Sequence, residues 1–264
     1  SSKRCKKYDG CFLGKVRVKV DGADIIIINH SLFANELMRN NSCLPSDFIY
    51  VIDEAHHFAT VTRDQLVTQI GSKSFDDVFN IFNKGKDNWK MNALKKYPEI
   101  SKLYKSLVTD SNIIQKEIQA FFNSYYDNKR NEINRSDYHI NKLLYRNSQE
   151  EFIDTEPTPW EVLTELNSFA KDIQKINALL QENKEDIPGS ISIEFTAIDS
   201  ILKEGLESFS AALDIQSELV QWSSFIQSDY QNLTTLNSAP LKVSSFISDN
   251  LLSKYPGGVF CSAT

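Results

Sequence analysis

No run of apolar residues in this 264-residue chain reaches the length of about 18 that would suggest a membrane-spanning helix, and no signal-peptide pattern precedes its basic start. Those absences lead to the expectation of a soluble, intracellular, cytoplasmic protein without membrane partners. Cysteine is also scarce. The four present, Cys5, Cys11, Cys43 and Cys261, are spread too widely for the framework of a small secreted protein, and a reducing compartment is expected. Nor is there a surplus of positive charge: the formal net charge of −6 argues against a surface that is basic throughout and against a generic coat for nucleic acid.

Apolar content is ample. With 41% hydrophobic residues, a chain of this length buries a substantial core and is expected to form two structural units. Its charge is unevenly placed. Lys84 to Lys105 holds seven lysines against Asp87 and Glu99, a net of +5, whereas Glu150 to Glu207 holds fourteen acids against four lysines, a net of −10.

The stretch Phe48-Ile49-Tyr50-Val51-Ile52-Asp53-Glu54-Ala55-His56-His57-Phe58 is an apolar run that ends abruptly in two carboxylates and two histidines. Such a run reads as a strand of a parallel sheet covered on both faces, and ligands of open α/β sheets bind beyond the carboxyl ends of those strands. An acid pair there suits Mg²⁺-dependent phosphoryl transfer, with Asp53 holding a metal-bound water and Glu54 orienting or deprotonating the attacking water. The competing reading is an ordinary acidic strand end that caps a helix. A zinc protease is a further class prompted by the acid beside two histidines, and the spacing argues against it. Zinc chelation from a helix needs histidines four apart, and the adjacent His56 and His57 are expected to point in different directions.

Two further apolar runs have polar ends. Ala23-Asp24-Ile25-Ile26-Ile27-Ile28-Asn29-His30 reads as a second buried strand, followed by a helix from Ser31 to Leu37 with Ser31 as a candidate N-cap; for Asn29 and His30, contact with nucleic acid and a structural role in capping that helix are competing readings. Gly257-Gly258-Val259-Phe260-Cys261-Ser262-Ala263-Thr264 reads as a third, beside the Asp53 strand. Near the start, Cys5 and Cys11 stand among Lys3, Arg4, Lys6 and Lys7, cations that favour thiolates and hence iron–sulfur ligation. Two thiols do not complete a four-cysteine site, so ligands of a cluster and free thiols both stay open here.

After Phe58 the spacing becomes helical. Ile114, Ile118, Phe121, Phe122 and Tyr125 form one apolar stripe; Leu163, Leu166, Phe169, Ile173, Ile176 and Leu180 a second; Phe195, Ile198, Leu202, Leu206, Phe209 and Leu213 a third. Pro157, Pro159 and Pro188-Gly189-Ser190 separate them, which predicts an antiparallel helical insertion of packed core faces. Lys84, Lys86, Trp89, Lys95, Lys96 and Tyr97 mix cations with aromatics and are candidates for tracking a single-stranded backbone and stacking a base; a solvated helix end with buried aromatics is the competing reading. Asn128 to Arg135 is a weaker second candidate. Leu219–Trp222 and Ala239–Val243 read as short strands, and Phe246–Leu252 as a short helix, that return the chain to the Asp53 sheet.

Asn29-His30, then Asp-Glu-Ala-His at 53–56, then Ser-Ala-Thr at 262–264, with a long insertion between the last two, resembles the DinG/XPD family of DEAH-type superfamily 2 helicases with an iron–sulfur region. The resemblance implies a mainly α chain, a helical arch-like insertion flanked by strands of a RecA-like α/β core lobe. On that reading residues 1–22 end the iron–sulfur region, 23–62 belong to the RecA-like lobe, 63–238 are the arch, and 239–264 return to the lobe. It also implies ATP and Mg²⁺ as cofactors and a 4Fe–4S cluster in the longer parent, with Cys5 and Cys11 matching the last two of four ligands. Some members lack the cluster. The implied partners are single-stranded and duplex DNA, unwound 5′ to 3′, and proteins docking on the insertion; a bacterial source would imply association with the nucleoid. The implied roles are Mg²⁺ binding for Asp53, water activation for Glu54, coupling for His56, Ser262 and Thr264, and DNA contact for Asn29 and His30. The sequence departs from the family in having no Gly-x-x-x-x-Gly-Lys-Ser/Thr phosphate loop. It therefore reads as an internal fragment that alone neither hydrolyses ATP nor unwinds DNA, the alternative being a stand-alone helical module that binds single-stranded DNA or a protein.

Overall fold

The structure, a computed structural model, describes residues 12–38, 44–45, 48–83, 93–133, 140–183, 185–214, 218–226 and 233–263. In chain order the elements are α1 (Phe12–Asp21), α2 (His30–Leu37), β1 (Tyr50–Ile52), α3 (Phe58–Gln65), β2 (Thr68–Gly71), α4 (Asp76–Asn83), α5 (Pro98–Lys129) and β3 (Ile140–Tyr145). There follow α6 (Ser148–Glu151), α7 (Pro159–Glu182), α8 (Gly189–Leu213), β4 (Leu219–Ile226), β5 (Leu233–Pro240), α9 (Ser244–Ile247) and β6 (Gly258–Phe260). The chain is mainly helical and divides into two compact units: Ser1–Val67 with Ala239–Thr264, and Thr68–Ser238.

In the first unit β1 and β6 pair in parallel, Tyr50 opposite Gly258 and Ile52 opposite Phe260. The glycine is required by that close approach, since a Cβ at Gly258 would overlap the Tyr50 ring. Phe33, Leu37, Tyr50, Ile52, Phe58, Leu251 and Tyr255 form the core beneath this pair. The central run is a strand only over Tyr50–Ile52, and it is buried on one face: Val51 is 68% exposed. The expected buried strand at Ile25–Asn29 does not form either. That segment lies outside any strand, and Ile25 and Ile27 are 81% and 92% exposed. The physical reason is shared. A continuous apolar run becomes an interior strand only with sheet neighbours and cover on both faces, and among the described residues this sheet contains β1 and β6 alone.

The second unit has its own core, built where the three apolar stripes meet. Ile114, Ile118, Phe121, Phe122 and Tyr125 of α5, Leu166, Phe169, Ile173, Ile176 and Leu180 of α7, and Phe195, Ile198, Leu202, Phe209 and Leu213 of α8 are all buried in it. Against these helices lies a four-stranded sheet in the order β2-β5-β4-β3. The expected strand Leu219–Trp222 is thus part of β4 in this sheet, and of the expected strand Ala239–Val243 only Ala239 and Pro240 are in a strand, as the end of β5; neither pairs with the Asp53 strand. β4 pairs antiparallel with β3, and its Phe225 is buried in the helical core. β5 pairs antiparallel with β2 so that Thr68 stands opposite Ser238, their hydroxyls 2.7 Å apart. The two ends of the unit are therefore side by side. The Tyr125 hydroxyl fastens helix to sheet: it donates to Glu151 Oε1 at 2.6 Å and lies 2.8 Å from Ser223 Oγ, while Lys129 pairs with Glu151 at 3.0 Å. After β5 the expected helix Phe246–Leu252 is α9 running into a π-helical turn at Ser248–Leu252. Among the described residues no helix is long and apolar enough to cross a membrane.

Candidate functional site

The strand–turn that carries Asp53 is built by backbone hydrogen bonds that outlast the strands themselves. Beyond β6, Cys261 N donates to Ile52 O at 2.8 Å, and Ala55 N donates back to Cys261 O at 2.8 Å. The turn after β1 and the segment after β6 are thereby locked together. Glu54 N donates to Asp53 Oδ1 at 3.0 Å, and His57 N donates to Glu54 O at 2.9 Å, closing a 3₁₀ turn over Ala55–His57. Glu54 reverses the chain with φ 47° and ψ 47°, the sole non-glycine with positive φ among the described residues. An L-residue there costs roughly 1 to 2 kcal/mol, which the flanking ladder offsets.

Three side chains meet above this turn. His56 Nδ1 is 2.9 Å from Ser262 Oγ and 3.4 Å from Glu54 Oε2, so one imidazole nitrogen faces both a hydroxyl and a carboxylate. Asp53, Glu54 and His56 are all exposed, open to a ligand approaching the strand ends. The rings of His56 and His57, expected to diverge, instead lie against each other with centroids 3.9 Å apart, because the tight 3₁₀ turn places both on the outside.

Asn29 and His30 stand at the start of α2 in the same unit. The cap of α2 is Asn29 and not Ser31: its Oδ1 accepts from Leu32 N at 2.8 Å. His30 meets Phe58 edge-on at 5.6 Å, and Phe58 also packs on Phe33 at 5.8 Å. One buried aromatic directly after the double histidine thus supports both α2 and the turn. A hydrogen bond of 2.8 Å from Asn35 Nδ2 to Gln65 Oε1 fastens α2 to α3.

Of the other candidates, Lys95 and Lys96 are exposed at the turn before α5, while the half-buried Tyr97 packs against the helical core. In the weaker candidate stretch, Lys129 pairs with Glu151 and Glu132, and Asn128 donates to Asp154 O. Cys5, Cys11, Lys84, Lys86, Trp89 and Thr264 lie outside the described residues. Sequence reasoning did not foresee the left-handed Glu54, the Cys261 backbone link or the supporting Phe58. Only the second was open to inference, from the expected β1–β6 pairing.

Asp53 suits one role toward Mg²⁺. This ion is usually held by one or two carboxylates together with phosphate oxygens and water, and an exposed carboxylate at a strand end meets that need. A protein-only cage is a different matter: among the described residues no group of three or more His, Cys, Asp or Glu side chains could hold a metal.

Comparison with known proteins points to one class, the ATP-dependent DNA helicases. Over 61 residues, 22% of the chain, it is 39% identical to the ATP-dependent DNA helicase DinG of Photobacterium profundum. Over 78 residues, 28% of the chain, it is 27% identical to the ATP-dependent DNA helicase YoaA of Escherichia coli. The chain spans 9% and 12% of the lengths of these two relatives. No protein-family profile matches it. The likeness supports a DinG-like helicase relationship for the part matched.

Proposed function

We propose that this chain is an internal part of an ATP-dependent DNA helicase of the DinG/XPD kind, with Thr68–Ser238 as its arch-like insertion and the first unit as part of its RecA-like lobe. One observation carries the reading. Asp53-Glu54-Ala55-His56 follows a strand that pairs in parallel with the strand leading to Ser262, and His56 bonds to Ser262 across 206 positions of sequence. In the longer protein Asp53 would hold the Mg²⁺ of MgATP, which would supply charge neutralisation for phosphoryl transfer. Glu54, whose carboxylate is exposed beside Asp53, would orient the attacking water. His56, bonded to Ser262 and near Glu54, passes the state of the carboxylates to the segment after β6, and Thr264 extends that link. Asn29, His30, Lys84, Lys86, Trp89, Lys95 and Lys96 form the contacts to single-stranded DNA, and Cys5 and Cys11 belong to a 4Fe–4S ligand set completed outside this chain. The protein is cytoplasmic.

The 264 residues include no phosphate-binding loop, so hydrolysis requires more of the lobe. Phosphate release should rise with single-stranded DNA for a polypeptide extended to the length of the relatives. It should fall by at least about 100-fold in Asp53→Ala, and the DNA stimulation should shrink in Ser262→Ala while basal turnover persists. The 264-residue chain alone should release none. Full turnover in Asp53→Ala, or no response of the extended wild type to DNA, would overturn the reading.

A further inference from the structure

The second unit carries an open groove of about 740 Å³ along α7, α8 and the start of β4. Leu163, Ala170, Leu206 and Leu219 give it an apolar lining, and Trp160 stands in its wall. Trp160 is anchored edge-on against the buried Phe152, with ring centroids 6.4 Å apart, yet remains 36% exposed. A tryptophan fixed on one side and bare on the other is the kind of residue on which protein interfaces concentrate binding energy. The charges around the groove are mostly negative: Asp199, Glu207 and Asp214 against Lys203. They lie within or beside the stretch Glu150–Glu207, whose net charge is −10. Phosphate backbones and anionic lipid surfaces are repelled by such a rim, whereas Lys or Arg side chains are drawn to it.

We propose that this groove docks a basic amphipathic segment of a protein partner, whose aliphatic side chains fill the apolar lining while its flanking Lys or Arg residues meet Asp199, Glu207 and Asp214. The assignment goes beyond the helicase reading and does not depend on it: it concerns one face of the helical unit and requires neither ATP nor DNA.

The test uses the full chain and a short labelled peptide of leucines and lysines at helical spacing, followed by fluorescence anisotropy. Binding to wild type is expected. It should weaken by about tenfold or more in Asn167→Trp, which fills the groove from an exposed wall position, and in the double variant Asp199→Lys/Glu207→Lys. The double variant Glu182→Lys/Glu185→Lys, equal in charge but outside the groove, should bind within about twofold of wild type. A peptide with glutamate in place of lysine should not bind. Circular dichroism establishes that each variant is folded, and the charge-reversed pair decides the matter if Asn167→Trp is not. Groove variants that bind as wild type does, an outside pair that weakens binding as much as the groove pair, or displacement of the peptide by single-stranded DNA would each overturn the assignment.

Discussion

Glu54 shows how a functional constraint hides at the level of one residue. Its left-handed backbone is the sort of position usually given to glycine or asparagine, and nothing in the letters Asp-Glu-Ala-His signals it. Tyr125 and Tyr145 show the reverse, since their burial in the helical unit follows from apolar spacing and their hydroxyls then need partners. Burial raises the pKa of both phenols, helped for Tyr125 by its hydrogen bond to Glu151 and for Tyr145 by the nearby Glu151 charge. An unfolded tyrosine titrates near pH 10. Above that value the unfolded chain gives up protons that the folded unit keeps, so stability is fully present below about pH 10 and falls as pH rises further. Tyr125→Phe should cost about 1 to 2 kcal/mol at neutral pH, because Glu151 and Ser223 lose a buried partner. The double variant Tyr125→Phe/Tyr145→Phe should show a flatter loss of stability between about pH 9 and about pH 11. Denaturant unfolding monitored by circular dichroism across that range measures both.

Among the elements, α7 has the fullest set of sequence signals. Thr158 caps it, accepting from Glu161 N at 3.3 Å, while Glu161 Oε2 accepts from Thr158 N at 2.8 Å, with Pro159 in the first turn. These bonds hold the Glu161 carboxyl below its usual range, so the cap weakens only as pH falls through that lowered value. Thr158→Ala should destabilise the helical unit by about 1 kcal/mol, seen as a lower midpoint in thermal unfolding. The three long helices were legible because each repeats an apolar residue every three or four positions over many turns. β2 and β3 were not legible. Thr68-Gln69-Ile70-Gly71 is too short and too polar to stand out, and Ile140–Tyr145 alternates while staying largely exposed. Ile25–Ile28 misled for a different reason, since an apolar run states an affinity for cover and leaves open whether this chain supplies it. The Asp53 turn was legible as a motif. The pairing of His56 with Ser262 followed once β1 and β6 were placed side by side, and the cap by Asn29 was one of two readings open there, since Asn29 and Ser31 both suit the position.

At the scale of the whole molecule the chain leaves the first unit after Val67 and returns at Ala239. The helical unit between has its own core and a closed set of sheet partners. A polypeptide of residues 68–238 should therefore fold by itself, with a cooperative thermal transition and a helical circular dichroism spectrum; a broad, non-cooperative melt would contradict this. The pairing of Thr68 with Ser238 also bears on how the first unit comes together during synthesis. β1 leaves the ribosome long before its partner β6, and closing a contact such as His56–Ser262 through an unfolded chain means joining points 206 residues apart. Once the helical unit has folded, with its two ends side by side, the flexible path shrinks to roughly 35 residues, which lowers the entropic cost of closure by about 1.5 kcal/mol. At about 5 to 20 residues per second, the strand that bears Asp53 waits on the order of ten seconds or more for β6, and the insertion has that interval in which to fold first. A helical unit that folds first would thus act as a folding clamp for the Asp53 turn, shortening the path over which β6 finds β1.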